Sequence, residues 1–152
     1  MDENKPYKRH AIQLTDLRVS ELSIVVDLSV PRDASISGFN IETGRSAYDD
    51  STKQIQVKMR VTMGPQEGEQ APFQLVAELH ANFEVDESRF EVRHINDWAD
   101  KNAPLVLYPY LREQVYSLTS RAGFQEALLP LIEIPTFKIG PKLDPDSKLE
   151  IK

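Results

Sequence analysis

The stretch KQIQVKMRVTMGPQEGEQAPFQLVAELHANFEV, Lys53 to Val85, decides the fold of this chain. Ile55, Val57, Met59, Val61 and Met63 alternate with polar residues in its first part. Phe73, Leu75, Ala77, Leu79, Ala81, Phe83 and Val85 do the same in its second. Successive side chains of a strand point to opposite faces, so this period of two predicts two antiparallel strands with one buried and one wetter face. The intervening GPQEGEQAP carries two glycines and two prolines and predicts a long-looped hairpin.

Upstream, HAIQLTDLRVSELSIVVDLSV (His10 to Val30) places Ile12, Leu14, Leu17, Val19, Leu22, Ile24 and Val26 in a less regular pattern. Its phase changes at Thr15–Asp16 and again at Ser20–Glu21, as in a long strand with bulges, where each inserted residue flips the inward and outward sets. Valine and isoleucine favour this reading over a helix. SISGFNIETG (Ser35 to Gly44) reads as a shorter strand and SAYDDST as a turn. Beyond Val85 the alternation stops, and DESRFEVRHINDWADKN fits either a short helix or an irregular connection.

NAPLVLYPYLREQVYSLTSRAGF, Asn102 to Phe124, reads as one long helix. At about 100° per residue, Leu107, Tyr108, Leu111, Val115, Leu118 and Ala122 share an arc about 100° wide, enough for one core-facing stripe. Pro109 is placed in the first turn, Arg121 near the last and Gly123 just past the end. Tyr110, Glu113, Tyr116, Ser117 and Ser120 lie off the stripe. They are either edge residues of a monomer or the contact face for the helix of a second copy. Four strands followed by a helix predict an α+β domain, a four-stranded antiparallel sheet with a long helix packed on one face.

The chain has 152 residues, no cysteine and a net charge of −6. That balance disfavours nucleic acid and anionic lipid as partners, which call for a basic face. The missing cysteine removes disulfides, thiolate metal sites and a cysteine nucleophile. No run approaches the ~18 apolar residues of a membrane span. MDENKPYKRH lacks an apolar signal core, so a cytoplasmic protein without direct membrane insertion is expected.

His10, His80 and His94 show no ligand spacing, and His94 with Asp97 and Asp100 lacks a second histidine at helical distance. DPDSKLE (Asp144 to Glu150) lacks the glycine and spacing of a calcium loop. There is no nucleophile elbow and no phosphate-cradling glycine loop. No catalytic residue, metal or cofactor is therefore expected, and binding becomes the expected role.

LYPYLREQVYSLTSRAGF, Leu107 to Phe124, resembles the signature of the SecB protein-export chaperone family. In that family a segment of the form [LI]-[FY]-P-Y-x-R-E opens the long helix and S-R-x-x-F closes it. Leu107, Tyr108, Pro109, Tyr110, Arg112, Glu113, Ser120, Arg121 and Phe124 fit this pattern. PLIEIPTF is similar to the proline-containing segment that follows, and LRVSELSI and FQLVAELHANF resemble the first and fourth strands. The resemblance implies an ATP-independent holdase, assembled as a dimer of dimers, that binds non-native chains in apolar grooves.

By alignment the client contacts are Phe39, Ile41, Ile134 and Phe137, and Tyr110, Glu113, Tyr116, Ser117 and Ser120 line the helix interface. Family acids that engage the SecA motor are replaced by Val25 and Val76, which leaves Glu21 as the matching motor-contact candidate and SecA engagement without its usual basis. Residues 1–137 are expected to form the SecB-like domain and 138–152 a polar tail, with the family's second helix reduced or absent. The implied partner is an unfolded preprotein or, as in relatives tied to toxin–antitoxin systems, an antitoxin. The alternative is a non-catalytic subunit or adaptor that reuses the fold for one fixed partner.

Overall fold

A computed structural model describes residues 6–36 and 38–133. The strands are β1 (Ile12–Val26), β2 (Asn40–Arg45), β3 (Gln54–Met63) and β4 (Phe73–Val85). A 3₁₀ turn (Val92–His94) leads into α1 (Ile95–Lys101) and α2 (Ala103–Arg121). All pairings are antiparallel, in the order β1-β4-β3-β2, so the hairpin predicted from the period of two forms the centre of the sheet. Across it Ile55 faces Phe83, Val57 faces Ala81, Met59 faces Leu79 and Val61 faces Ala77. All eight are buried beneath the helical layer.

β1 shifts register between Leu14 and Asp16 and between Val19 and Glu21, the two places where its hydrophobic phase changes. Thr15 and Ser20 are the inserted residues. The Thr15 hydroxyl donates to the Asn82 carbonyl (3.2 Å) and the Ser20 hydroxyl to Glu78 Oε1 (2.8 Å). Each bulge restores the apolar set to one face, so Leu14, Leu17, Val19, Leu22, Ile24 and Val26 stand opposite Phe83, Ala81, Leu79, Ala77, Leu75 and Phe73.

Three turns share one device: the carboxylates of Asp27, Asp49 and Asp86 accept both the backbone N–H and the hydroxyl of the serine two residues on, Ser29, Ser51 and Ser88. These bonds hold all three carboxyls below their ordinary range. A depressed folded-state value stabilises the fold above the unfolded value, about 3.9, and that contribution is lost as pH falls further. Stability is therefore expected to be flat with respect to these groups from pH 7 to about 5 and to fall with proton uptake below about 4. Urea unfolding at stepped pH measures this; a loss beginning near pH 6 would contradict it.

The connection left open by the sequence contains α1. Ile95, Trp98 and Ala99 are buried, and the Trp98 ring meets Phe83 edge-on at 5.1 Å. Arg45 of β2 holds Asp100 at 2.8 Å, fixing α1 over that edge of the sheet. α1 ends because Pro104 has no N–H to continue the ladder. The Asn102 N–H closes α1 on the Trp98 carbonyl (2.7 Å), and the Asn102 carbonyl accepts from Leu105 to open α2 (3.0 Å).

This corrects the expected helix start. Pro104, not Pro109, lies in the first turn, and Pro109 lies inside the helix on its exposed side. Pro109 has no N–H for the Leu105 carbonyl, so one rung of the helix is missing on its exposed side, while the buried Ala103 and Pro104 extend the packed stripe earlier than the run from Leu107 indicated. The stripe is Ala103, Pro104, Leu107, Tyr108, Leu111, Val115 and Thr119. Leu118 and Ala122, expected within it, are half-buried on its margin.

Gly123 closes α2 at φ +86°. Its N–H bonds the Ser120 carbonyl (3.0 Å) and the Phe124 N–H bonds the Thr119 carbonyl (3.1 Å), the paired bonds of a Schellman cap. The Phe124 ring then packs on Phe73 at 4.8 Å. A Cβ at Gly123 would stand 2.9 Å from Arg32 Nη2 as well as in the left-handed region. Gly123→Ala is expected to cost about 1–2 kcal/mol, a fall of roughly 3–8 °C in Tm for a chain of this size. Thermal melts check it.

Candidate functional site

α2 presents two different faces. Opposite its buried stripe, Val106, Pro109, Tyr110, Glu113, Tyr116, Ser117 and Ser120 fall within about 120° of arc. Tyr110 and Tyr116 are 47% and 45% exposed, so closing the protomer core uses neither ring fully. Val106, Tyr110, Glu113, Ser117 and Ser120 follow a 4-3-4-3 spacing, the spacing of a seam between packed helices. The Glu113 carboxylate accepts from the Ser117 hydroxyl (2.7 Å) and from Gln114 Nε2 (3.2 Å). The five residues expected at a helix interface are thus brought onto one face, with Ser117 half-buried and the others exposed.

On the flank of α2 the chain returns as a strap, residues 125–133, that runs antiparallel to the helix without helix, strand or turn of its own. Three helix side chains hold it. The buried Thr119 hydroxyl accepts the Ala127 N–H (2.9 Å) while donating to the Val115 carbonyl (2.9 Å). Arg112 Nε donates to the Leu129 carbonyl at 2.8 Å, and the Tyr108 hydroxyl donates to the Pro130 carbonyl. Burial raises the Tyr108 hydroxyl above the usual phenol value, with the Arg112 charge opposing, so it stays a donor through neutral pH. Leu129 is buried, Ala127 and Ile132 pack on the core, and Leu128 and Leu131 point outward, 66% and 83% exposed.

Sequence reasoning did not find this strap. Its signal was the set of polar atoms at 108, 112 and 119, which recur on one side of the helix.

Phe39 and Ile41 are half-buried against the core, and Ile41 sits opposite Val61 on the far side of the sheet from β1. The helix interface set and this pair lie on separate elements. Ile134 and Phe137 lie outside the described residues, as do the boundary at 137 and the tail 138–152. At the other edge, β1 leaves Val19 and Leu22 exposed even though they stand opposite buried residues of β4, because α2 lies mainly over β3 and β4.

The opposite face of the sheet is polar. Glu21, Glu78, Arg60 and Glu42 form one row across β1, β4, β3 and β2. Arg60 Nη1 donates to the Glu21 carboxylate and, at 3.1 Å, to Glu78. Burial pushes the Glu78 carboxyl up, but hydrogen bonds from Ser20 and Arg60 and the charge of Lys58 outweigh it and leave it lowered. Glu21, the motor-contact candidate, is therefore engaged within the protomer. His80 Nε2 lies 3.3 Å from Glu78, and Val25 and Val76 occupy neighbouring positions of the same face.

His94, Asp97 and Asp100 are not gathered into a site: Asp100 is held by Arg45, and His94 Nε2 lies 3.9 Å from Glu91. Among the described residues no group of three or more histidine, aspartate and glutamate side chains is placed to hold a metal. None of the described helices is long and apolar enough to cross a membrane.

Compared with known protein families, residues 25–137 match SecB, described as preprotein translocase subunit SecB. The chain belongs to the SecB family. The match opens near the end of β1 and does not reach the two bulges of that strand. Among solved structures, this SecB-family chain is similar to the SecB-like chaperone Rv1957 of Mycobacterium tuberculosis, solved in complex with a ChAD peptide from the HigA1 antitoxin. The identity is 20%, the TM-score 0.67, and the likeness covers 83% of this chain and 94% of that one, so the two share a fold. A Streptococcus agalactiae protein of unknown function also matches, at 12% identity and TM-score 0.44, over 79% of this chain and 97% of that one. No curated protein matches the chain.

Proposed function

We propose that this protein is a non-enzymatic, ATP-independent holdase that binds unfolded polypeptide and works as a homo-oligomer, a dimer of dimers. The observation that carries the reading is apolar surface that the fold does not use. Tyr110 and Tyr116 stand out from α2, and Leu128 and Leu131 stand out from the strap beside it. Membership of the SecB family supports it. Phe39 and Ile41, with Ile134 and Phe137, are the proposed client contacts. Tyr110, Glu113, Tyr116, Ser117 and Ser120 are the proposed helix interface. Many shallow apolar contacts bind without sequence selection, and a long client gains avidity from wrapping several of them.

Two client classes fit, exported preproteins and an antitoxin. The antitoxin reading is supported by the Mycobacterium tuberculosis relative, whose structure holds an antitoxin peptide. Export coupling through Glu21 would require that carboxylate to leave Arg60. A fixed-partner adaptor is the competing role, and a cytoplasmic setting is part of the proposal.

Light scattering of thermally denaturing citrate synthase, without nucleotide, tests the reading. Suppression at near-stoichiometric ratios is expected, unchanged by added ATP, from a species of about four times 17.3 kDa. A monomer at micromolar concentration that leaves the scattering unchanged would overturn it.

A further inference from the structure

The strap is bound in an unusual way. All three polar side chains that fix it address main-chain groups: the Ala127 N–H, the Leu129 carbonyl and the Pro130 carbonyl. Any extended chain carries the same groups, so these contacts read a backbone and ignore its sequence. The one side chain fully taken up is Leu129, at 2% exposure, while its neighbours Leu128 and Leu131 face solvent. Among the described residues these ties run from side chain to main chain, with no strand ladder to the sheet. The core stripe of α2 is closed on the sheet by Leu107, Leu111 and Val115, each at 0% exposure.

We propose that Tyr108, Arg112 and Thr119 form a main-chain-reading groove. Residues 125–133 fill it in the free protein, and an extended client segment with an apolar side chain at the Leu129 position takes their place. This rests on the holdase reading and adds where and how a client backbone is gripped. The strap itself indicates the occupant: the groove already holds a leucine-bearing segment that meets Thr119, Arg112 and Tyr108 in turn at Ala127, Leu129 and Pro130. Every part of that grip is one that an unrelated unfolded chain reproduces. Self-occupancy keeps the apolar seat covered when no client is present and sets a threshold that a short or polar segment does not meet. The apparent dissociation constant is then the intrinsic one divided by the fraction of molecules with the groove open.

Weakening the strap without touching the groove tests this. The probe is reduced, carboxymethylated α-lactalbumin, which stays unfolded. Affinity is expected to rise about threefold in Leu129→Val and about tenfold or more in Leu129→Ala, because the smaller side chain is less costly to expel. Leu129→Val guards against loss of fold in the larger truncation. In the wild type, client binding should also remove hydrogen-exchange protection at the Ala127 amide, which Thr119 accepts. Weaker or unchanged affinity in both variants, or protection at Ala127 that survives client binding, would overturn the exchange and leave the holdase reading standing. A wild-type protein that binds none of the probe overturns both.

Discussion

Tyr110→Ala combined with Tyr116→Ala is expected to dissociate the assembly and leave the protomer folded. Each ring is nearly half exposed, and neither belongs to the buried stripe of α2. Within the protomer the pair therefore carries only partial burial, and losing it should cost no more than about 1–2 kcal/mol. In a helix–helix interface the same rings become central aromatic anchors, each expected to contribute about 2 kcal/mol or more on truncation. A two-fold interface repeats every substitution, so the double change removes four rings from each helix pair. The dissociation constant should then rise by on the order of 10³-fold or more. Sedimentation over a concentration series, with circular dichroism on the same samples, reads both quantities. A variant that keeps its oligomer and loses its fold would return these tyrosines to the core.

Leu111→Ala should do the reverse. Leu111 lies on the opposite side of the same helix, at 0% exposure between Leu107 and Val115 and over the strands β3 and β4. Its truncation leaves a cavity between helix and sheet, at an expected cost of about 3–5 kcal/mol. Against a total of about 5–15 kcal/mol for a domain, that is a large share. Tm should fall by roughly 6–20 °C, and the urea midpoint should drop with little change in slope. The surviving folded fraction should still assemble, because the outward face is intact. A loss below about 1 kcal/mol would mean that α2 is not seated on the sheet as described.

What could be read in advance follows from which features repeat. The β3–β4 hairpin and the bulges of β1 were legible because alternation has one period and each bulge leaves a phase change at a definable residue. Tyr110 and Tyr116 were legible as outward residues because helical angle separates them from the stripe. α1 was not, since INDWADK is too short to display a stripe, and its burial depends on Trp98 reaching Phe83. The helix start was misplaced because two prolines competed for one role, and the choice depended on where Ala103 and Pro104 pack.

Thr119 was hidden for a different reason. A fully buried hydroxyl is not expected on the core side of a helix, yet here, at the edge of the stripe, it is bonded to both the Val115 carbonyl and the Ala127 N–H. The strap is held by side-chain to main-chain contacts, so only their helix side, at 108, 112 and 119, leaves a pattern in the sequence. Glu21 shows the converse limit. The sequence places a carboxylate on a strand but not the Arg60 side chain, distant in sequence, that occupies it.

If this SecB-family chain is a holdase, it recognises unfolded polypeptide by its conformation and not by its sequence. Calorimetric titration with reduced, carboxymethylated α-lactalbumin and with native α-lactalbumin, both without nucleotide, separates conformation from sequence. The unfolded form is expected to bind with a negative heat-capacity change from apolar burial, and the native form to give no measurable heat. Equal binding of both forms, or of neither, would contradict it.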